Sequence, residues 1–430
     1  MLSYLASLLS RSAAAGGGGV EHSTMPASFY TSDAVFNFEK RAIFSRMWLL
    51  CCHERLLDEP GKYQLMNIAG QSFFVIRSKD GEIKRSELKL RSSPQRAFHN
   101  VCRHRGFPVV DPVAQDASEP AESKGKRNIL ACMYHGWKYN TDGTLFRAPH
   151  FQEVPGFDPK AHSLFPLRVH VDKNGFVYAN ADMSDDAVTW EAQFGKFDEQ
   201  ERLQKVKWGD YNYELSWSME NAPYNWKVLV DNYSEYFVRT TNLDTYRVES
   251  DKGIMAHFVD AKPGALTTEG ADADKFAFNF IFPAASHTVT PMYWYHMRIV
   301  PITSRSCTVL YEVYRHKDCS DEVFAENHAF FIRVESEDKM LCTNVQKNLE
   351  RGVYNSGPLH PGRESGVIYF HKMYLQTLKE HFEKEKAAGH EMRGGRTSLY
   401  RGKETKADSL ASELESCCGS GGRGGAAAEW

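Results

Sequence analysis

The chain has 430 residues, 42% hydrophobic and 13% aromatic, enough apolar material for two packed domains with large cores. Its 52 Lys and Arg against 55 Asp and Glu leave a net charge of -3, with no basic excess of the kind nucleic-acid binding requires. No apolar run reaches the roughly 18 to 20 residues that cross a bilayer, and nine scattered cysteines fit a reduced, cytoplasmic protein better than a disulfide framework.

Residues 1–29 read as a disordered N-terminal tail. Its first twenty residues hold one arginine and no acid, faintly resembling a mitochondrial presequence, and Met25 is an alternative start. From Tyr30 to Trp48 the apolar positions Val35, Phe36, Ala42, Ile43, Phe44 and Trp48 recur at helical spacing, with Thr31, Ser32 and Asp33 as candidate N-caps, which predicts a docking helix. Short β-type runs follow, from Gly61–Ser78 to Gly175–Asp182, so residues 30–182 are expected to form the docking helix and a small all-β unit. Within it, 111–128 is polar, charged and free of aromatics, and is expected to be a surface loop insertion.

From 183 to 385 helical patterns alternate with long strands at Lys275–Phe282, Met292–Ile302 and Cys307–Arg315. The last helical segment expected is Val323–Leu349. Residues 386–430, rich in Gly, Ser, Glu and Lys, read as a disordered C-terminal tail.

The strongest chemical signal is "CRHRG" with "CMYHGWKY": Cys102-x-His104 and Cys132-x-x-His135. Two cysteines and two histidines suit a tetrahedral zinc site or a Rieske [2Fe-2S] cluster, in which two histidines replace two cysteines on one iron. Each short loop brings one thiolate and one imidazole, an order that favours the cluster over zinc. Gly106 and Gly136 follow where tight turns need positive φ. Cys51-Cys52-His53 has no partner pair and lies in an apolar strand run, so it is expected to be buried structure.

The blocks "MWLLCCHERLLDEPGKY", "AFHNVCRHRG", "ACMYHGWKYNTDGTL", "NWKVLVDNYSEY" and "EDKMLCTNVQKNLERG" resemble, in order, those of Rieske non-haem iron oxygenases: ring-hydroxylating dioxygenase α subunits and choline monooxygenase-like enzymes. The resemblance implies an α+β chain: an antiparallel β Rieske domain joined to a helix-grip catalytic domain. It also implies a trimer fed by a reductase, a small-molecule substrate, and a mononuclear Fe(II) held by two histidines and a carboxylate. That ligand face leaves three coordination positions open. On the family pattern Asp338 is the acidic iron ligand. Glu235 and Asn232 belong to the catalytic helix, Glu235 matching the carboxylate that links one subunit's cluster histidine to the next subunit's iron histidine. The two iron histidines, however, are replaced by Val238 and Leu243, which carry no donor atom.

Asn242, Asp244, Tyr246, His257, His287 and His296 are the residues from which a relocated site would have to be drawn. The expected function is therefore a Rieske [2Fe-2S] oxidoreductase acting on a small organic molecule in a pocket lined partly by Phe278–Phe282 and Tyr293–Tyr295, with an altered iron site. The alternative is an electron-transfer or assembly subunit that keeps the cluster, lacks the catalytic iron and works beside a related chain.

Overall fold

The computed structural model describes residues 22–79, 96–112, 120–234, 243–261 and 277–394. All of them fall within one compact unit, Met1–Gly395. Residues 22–29, expected to belong to a tail, are packed. Met25 and Phe29 are buried, and the backbone N–H groups of Thr24 and Ala27 donate to Gly357 and Asn355. A single turn, Ser28–Thr31, leads into helix α1 (Asp33–Glu39), whose N-cap Ser32 accepts from the Val35 N–H, and a π-helical turn extends it over Lys40–Phe44.

The first sheet contains β1 (Leu49–His53), β2 (Lys62–Ile68), β3 (Gln71–Ile76), β4 (Ala97–His99), β5 (Glu122–Lys126), β9 (Pro166–Val171) and β10 (Phe176–Asn180), ordered β1-β10-β9-β4-β3-β2-β5. Its pairings are antiparallel. Gly61–Ser78 is not one run but a hairpin. It turns at Ala69 and Gly70, both at positive φ, as a two-residue hairpin matched to strand twist requires. The loop insertion expected over 111–128 is corrected by β5: alternation is weak there because an edge strand faces solvent on one side, yet Lys62–Met66 pairs with it throughout. A separate three-stranded sheet, β6 (Leu130–Ala131), β7 (Lys138–Tyr139) and β8 (Leu145–Arg147), carries the second cysteine loop.

The second large sheet orders β11 (Tyr211–Ala222), β17 (Ser306–His316), β16 (Tyr293–Thr303), β15 (Ala285–Val289), β14 (Ala277–Ile281), β13 (Ile254–Ala261) and β12 (Leu243–Asp251), again antiparallel. Three helices belong with it: α2 (Trp226–Ser234), α3 (Asp321–Glu350) and α4 (Ser365–Ala388). Sequence periodicity located α3 but not α4, whose buried face includes His371, His381 and Glu385 among its apolar residues and so blurs the stripe. Helix α4 carries the ordered chain past 385, and the Gly394 N–H reaches Ser45 Oγ at 3.0 Å.

The Asn-Trp-Lys block is a structural anchor. Asn225 caps α2 by accepting from the Lys227 N–H, and its own side chain donates to Ser304. The wholly buried Lys227 ammonium meets the equally buried Glu39 carboxylate at 2.6 Å, and Trp226 Nε1 and Tyr374 Oη donate to the same carboxylate. One carboxylate from α1 thereby ties α2 to α4. Breaking a buried pair of this kind costs about 3–5 kcal/mol.

Candidate functional site

Cys102 lies in the loop after β4 and Cys132 in the loop after β6, and the two loops are built alike. The N–H groups of Gly106 and Gly136 donate to the carbonyls of Cys102 and Cys132 at 3.0 and 3.1 Å, while the cysteine N–H groups donate to Phe107 and Trp137, both at 2.8 Å. Gly106 and Gly136 have φ of 76° and 71°. A Cβ at Gly106 would meet nothing within 4 Å, so conformation and not space demands glycine there.

The four candidate donors sort by type. Both thiols are buried, at 2% and 3% exposure, and they interact with each other. The two imidazoles lie edge to face with centroids 4.6 Å apart, His135 exposed and His104 half-buried. Trp137 stacks on His104 at 5.1 Å and 3°, fixing that ring. His104 Nδ1 is buried with no hydrogen-bond partner, the state expected of a nitrogen whose partner is a metal. Burial, with His135 and Arg105 alongside, lowers the His104 pKa and favours the neutral imidazole a metal needs. Tyr139 Oη lies 3.2 Å from Cys102 Sγ and accepts from the Arg103 N–H at 3.0 Å. Among the described residues no three His, Cys, Asp or Glu side chains converge on a single metal position. A tetrahedral zinc site would draw all four donors to one point, so two thiols set apart from two imidazoles suit the donor set of a [2Fe-2S] cluster better.

At the second site, Asn232 on α2 hydrogen-bonds Asp338 on α3, and burial raises the Asp338 pKa. Glu235 and Val238 lie outside the described residues, as does Asn242. Leu243 opens β12, opposite Ala261. Asp244, Tyr246 and His257 belong to β12 and β13, whose side chains there are likewise outside the described set.

The other two histidines face away from Asp338. His287 and His296 are direct cross-strand partners on β15 and β16, both fully buried. His287 is packed between Phe176 and Phe197, with ring centroids at 5.1 and 5.3 Å, and lies 2.8 Å from Asn279 Nδ2. His296 Nε2 is 3.1 Å from Glu312. Phe176 belongs to the first sheet, so both imidazoles serve the contact between the sheets. The alternation of a strand turns the intervening residue, Tyr295, toward α3, where its ring lies 4.2 Å from Phe331.

That α3-facing side holds a cluster that the sequence signals only in part. Phe331, Glu335, Asp338 and Cys342 recur at helical spacing, and Glu335 and Asp338 interrupt an otherwise apolar inward stripe. Tyr311 Oη donates to Glu335, and Trp217 stacks on Tyr311 at 4.1 Å and 8°. Burial pushes the Glu335 carboxyl up to about 8. Tyr233, from α2, hydrogen-bonds Ser286 and Thr288 on the same face. Of the aromatic strands expected to line a pocket, Tyr295 is here, whereas Phe280 and Phe282 pack on Phe370 of α4.

The fold and the first site define an iron–sulfur oxidoreductase of Rieske type. Residues 47–158 match the family described as Rieske [2Fe-2S] domain, and residues 244–380 the ring hydroxylating alpha subunit (catalytic domain). The carnitine monooxygenase oxygenase subunit of Acinetobacter pittii is 34% identical, the match covering 83% of this chain and 95% of that protein. Chloroplastic choline monooxygenase of Beta vulgaris is 28% identical over 83% of this chain and 77% of its own. A solved quaternary ammonium Rieske monooxygenase superposes with a TM-score of 0.69 at 26% identity, covering 83% and 95% of the two chains. The chain belongs to the Rieske oxygenase α-subunit family, and its cofactor is a [2Fe-2S] cluster.

Proposed function

We propose that this chain is a Rieske oxidoreductase subunit that binds a small quaternary ammonium compound between its second sheet and α3, draws electrons from a reductase, and lacks the usual mononuclear iron centre. The observation carrying the redox part is the pair of matched loops, which bring together two buried thiols and two adjacent imidazoles. Cys102, His104, Cys132 and His135 would hold the cluster, which when bound supplies one-electron transfer. Tyr139 supports Cys102, and Trp137 holds the His104 ring in place.

The ligand class is supported by the relatives, which are named for choline and carnitine oxidation, and by the aromatic and acidic character of the cluster around Glu335. None of the seven described cysteines forms a disulfide, which fits a reducing compartment such as the cytoplasm.

Among the described residues, none completes a mononuclear iron site with Asp338. Val238 and Leu243 have no donor atoms, and His287 and His296 face the other side of the sheet from Asp338. This favours a second reading, an electron-transfer or assembly subunit working beside an iron-competent related chain in a mixed assembly and not in a homotrimer. Metal analysis tests the missing iron that both readings share. Anaerobically reconstituted protein is expected to hold two irons and two sulfides per chain, and Asp338→Ala is expected to leave that count unchanged. A third iron that disappears in Asp338→Ala would restore the oxygenase reading. Val238→His combined with Leu243→His is expected to add Fe(II), since Asn232 and Asp338 remain in place.

A further inference from the structure

We propose that Glu335 sets the charge selectivity of the ligand site, its carboxylate serving as the counter-ion of a quaternary ammonium group; this rests on the quaternary ammonium reading above. Glu335 sits one turn before Asp338 on the inward face of α3 and is 9% exposed. Three aromatic residues gather at the same point. Tyr311 donates to the carboxylate, Phe331 lies 5.3 Å from Tyr311 at 82°, and Tyr295 lies 4.2 Å from Phe331 at 31°. Trp217, stacked on Tyr311 and edge-on to Phe331 at 5.6 Å, keeps these rings from turning.

Among the described residues no basic side chain acts on either acid. The groups influencing Glu335 are Tyr311 and Asp338, and those influencing Asp338 are Asn232 and Glu337. With no cation beside it, burial keeps the Glu335 carboxyl protonated up to about 8, so it becomes a full carboxylate only when a cation arrives to pair with it. A quaternary ammonium ion has no N–H to donate, so hydrogen bonding cannot recognise it. Opposite charge and aromatic faces can, and this cluster offers both. A neutral isostere of the same shape would gain the aromatic contacts but not the charge.

The test uses cluster-loaded full-length protein and two probes, choline and its uncharged carbon isostere 3,3-dimethylbutan-1-ol, with affinities from titration calorimetry. Wild-type protein is expected to prefer choline by about tenfold or more. Glu335→Gln keeps the shape and removes the charge, and is expected to bring the two probes to similar affinity without altering the cluster's visible spectrum. Tyr311→Phe, which leaves the charge in place, is expected to keep the preference, as is Glu335→Asp. An undiminished choline preference in Glu335→Gln overturns the assignment of Glu335 while leaving the ligand class standing. Failure of wild-type protein to bind choline overturns the ligand class, and the role of Glu335 with it.

Discussion

Single side chains tune a cluster site whose donors were already legible as a motif. Cys102, His104, Cys132 and His135 are recognisable from spacing because each loop is short enough to dictate its own conformation, with Gly106 and Gly136 taking the positive φ. Tyr139 is different, because its Oη reaches Cys102 Sγ from a strand 37 positions away. A hydrogen bond to a cluster sulfur stabilises the more electron-rich reduced state, so Tyr139→Phe is expected to lower the reduction potential measured by voltammetry, with the iron count unchanged. An equal or higher potential would mean that the phenol only fills space. Glu335 is likewise a residue whose meaning is tertiary: in sequence it is one more acid on a charged helix, and only the sheet opposite shows that it faces Tyr311 and Phe331.

Among the elements, α4 decides how the catalytic half is closed. Its Gly366 packs against the end of α2, where an added Cβ would come within 2.5 Å of the Ser234 carbonyl oxygen. Backbone oxygen cannot swing aside as a flexible side chain would, so Gly366→Ala must push α4 from α2. A loss of about 1–3 kcal/mol is expected in denaturant unfolding, with the cluster spectrum retained because the Rieske loops lie elsewhere. His371 on the same helix contacts Asp231 at 2.9 Å, and Tyr30 Oη donates to Asp231 at 2.6 Å. The family's Asp-Asn-Tyr block is thus divided in role. Asp231 holds helices together, Asn232 reaches Asp338, and Tyr233 turns to the sheet.

For the molecule as a whole, the two large sheets are joined by a buried ionic network. Arg298 on β16 lies 2.6 Å from Glu122 on β5 and 2.7 Å from Glu312 on β17, and Gln64 donates to Glu122 at 2.7 Å. Burial holds the Glu122 carboxyl up at about 7. Burial also pushes Glu312 upward, but His296 and Arg298 outweigh it and hold Glu312 at about 2. Between its ordinary 4.5 and about 7 the folded chain keeps the Glu122 proton that the unfolded chain has released. This contribution to stability is therefore complete below about 4.5 and is lost as pH rises through 7. Glu122→Gln is expected to flatten that part of the fall in thermal midpoint between pH 5 and pH 8, and an unchanged slope would count against it. Sequence alone supplied the candidate cluster donors, the strand-rich α+β class and the valine and leucine at the two positions where the family pattern expects iron histidines, because spacing, alternation and residue identity are local properties. Tertiary structure decided that β5 is a strand, that α4 completes the helical layer, that His287 and His296 belong to the contact between the sheets, and that Glu335 stands among aromatic rings. Each of these depends on which face meets which partner across the fold, and the order of residues along one chain does not encode that directly.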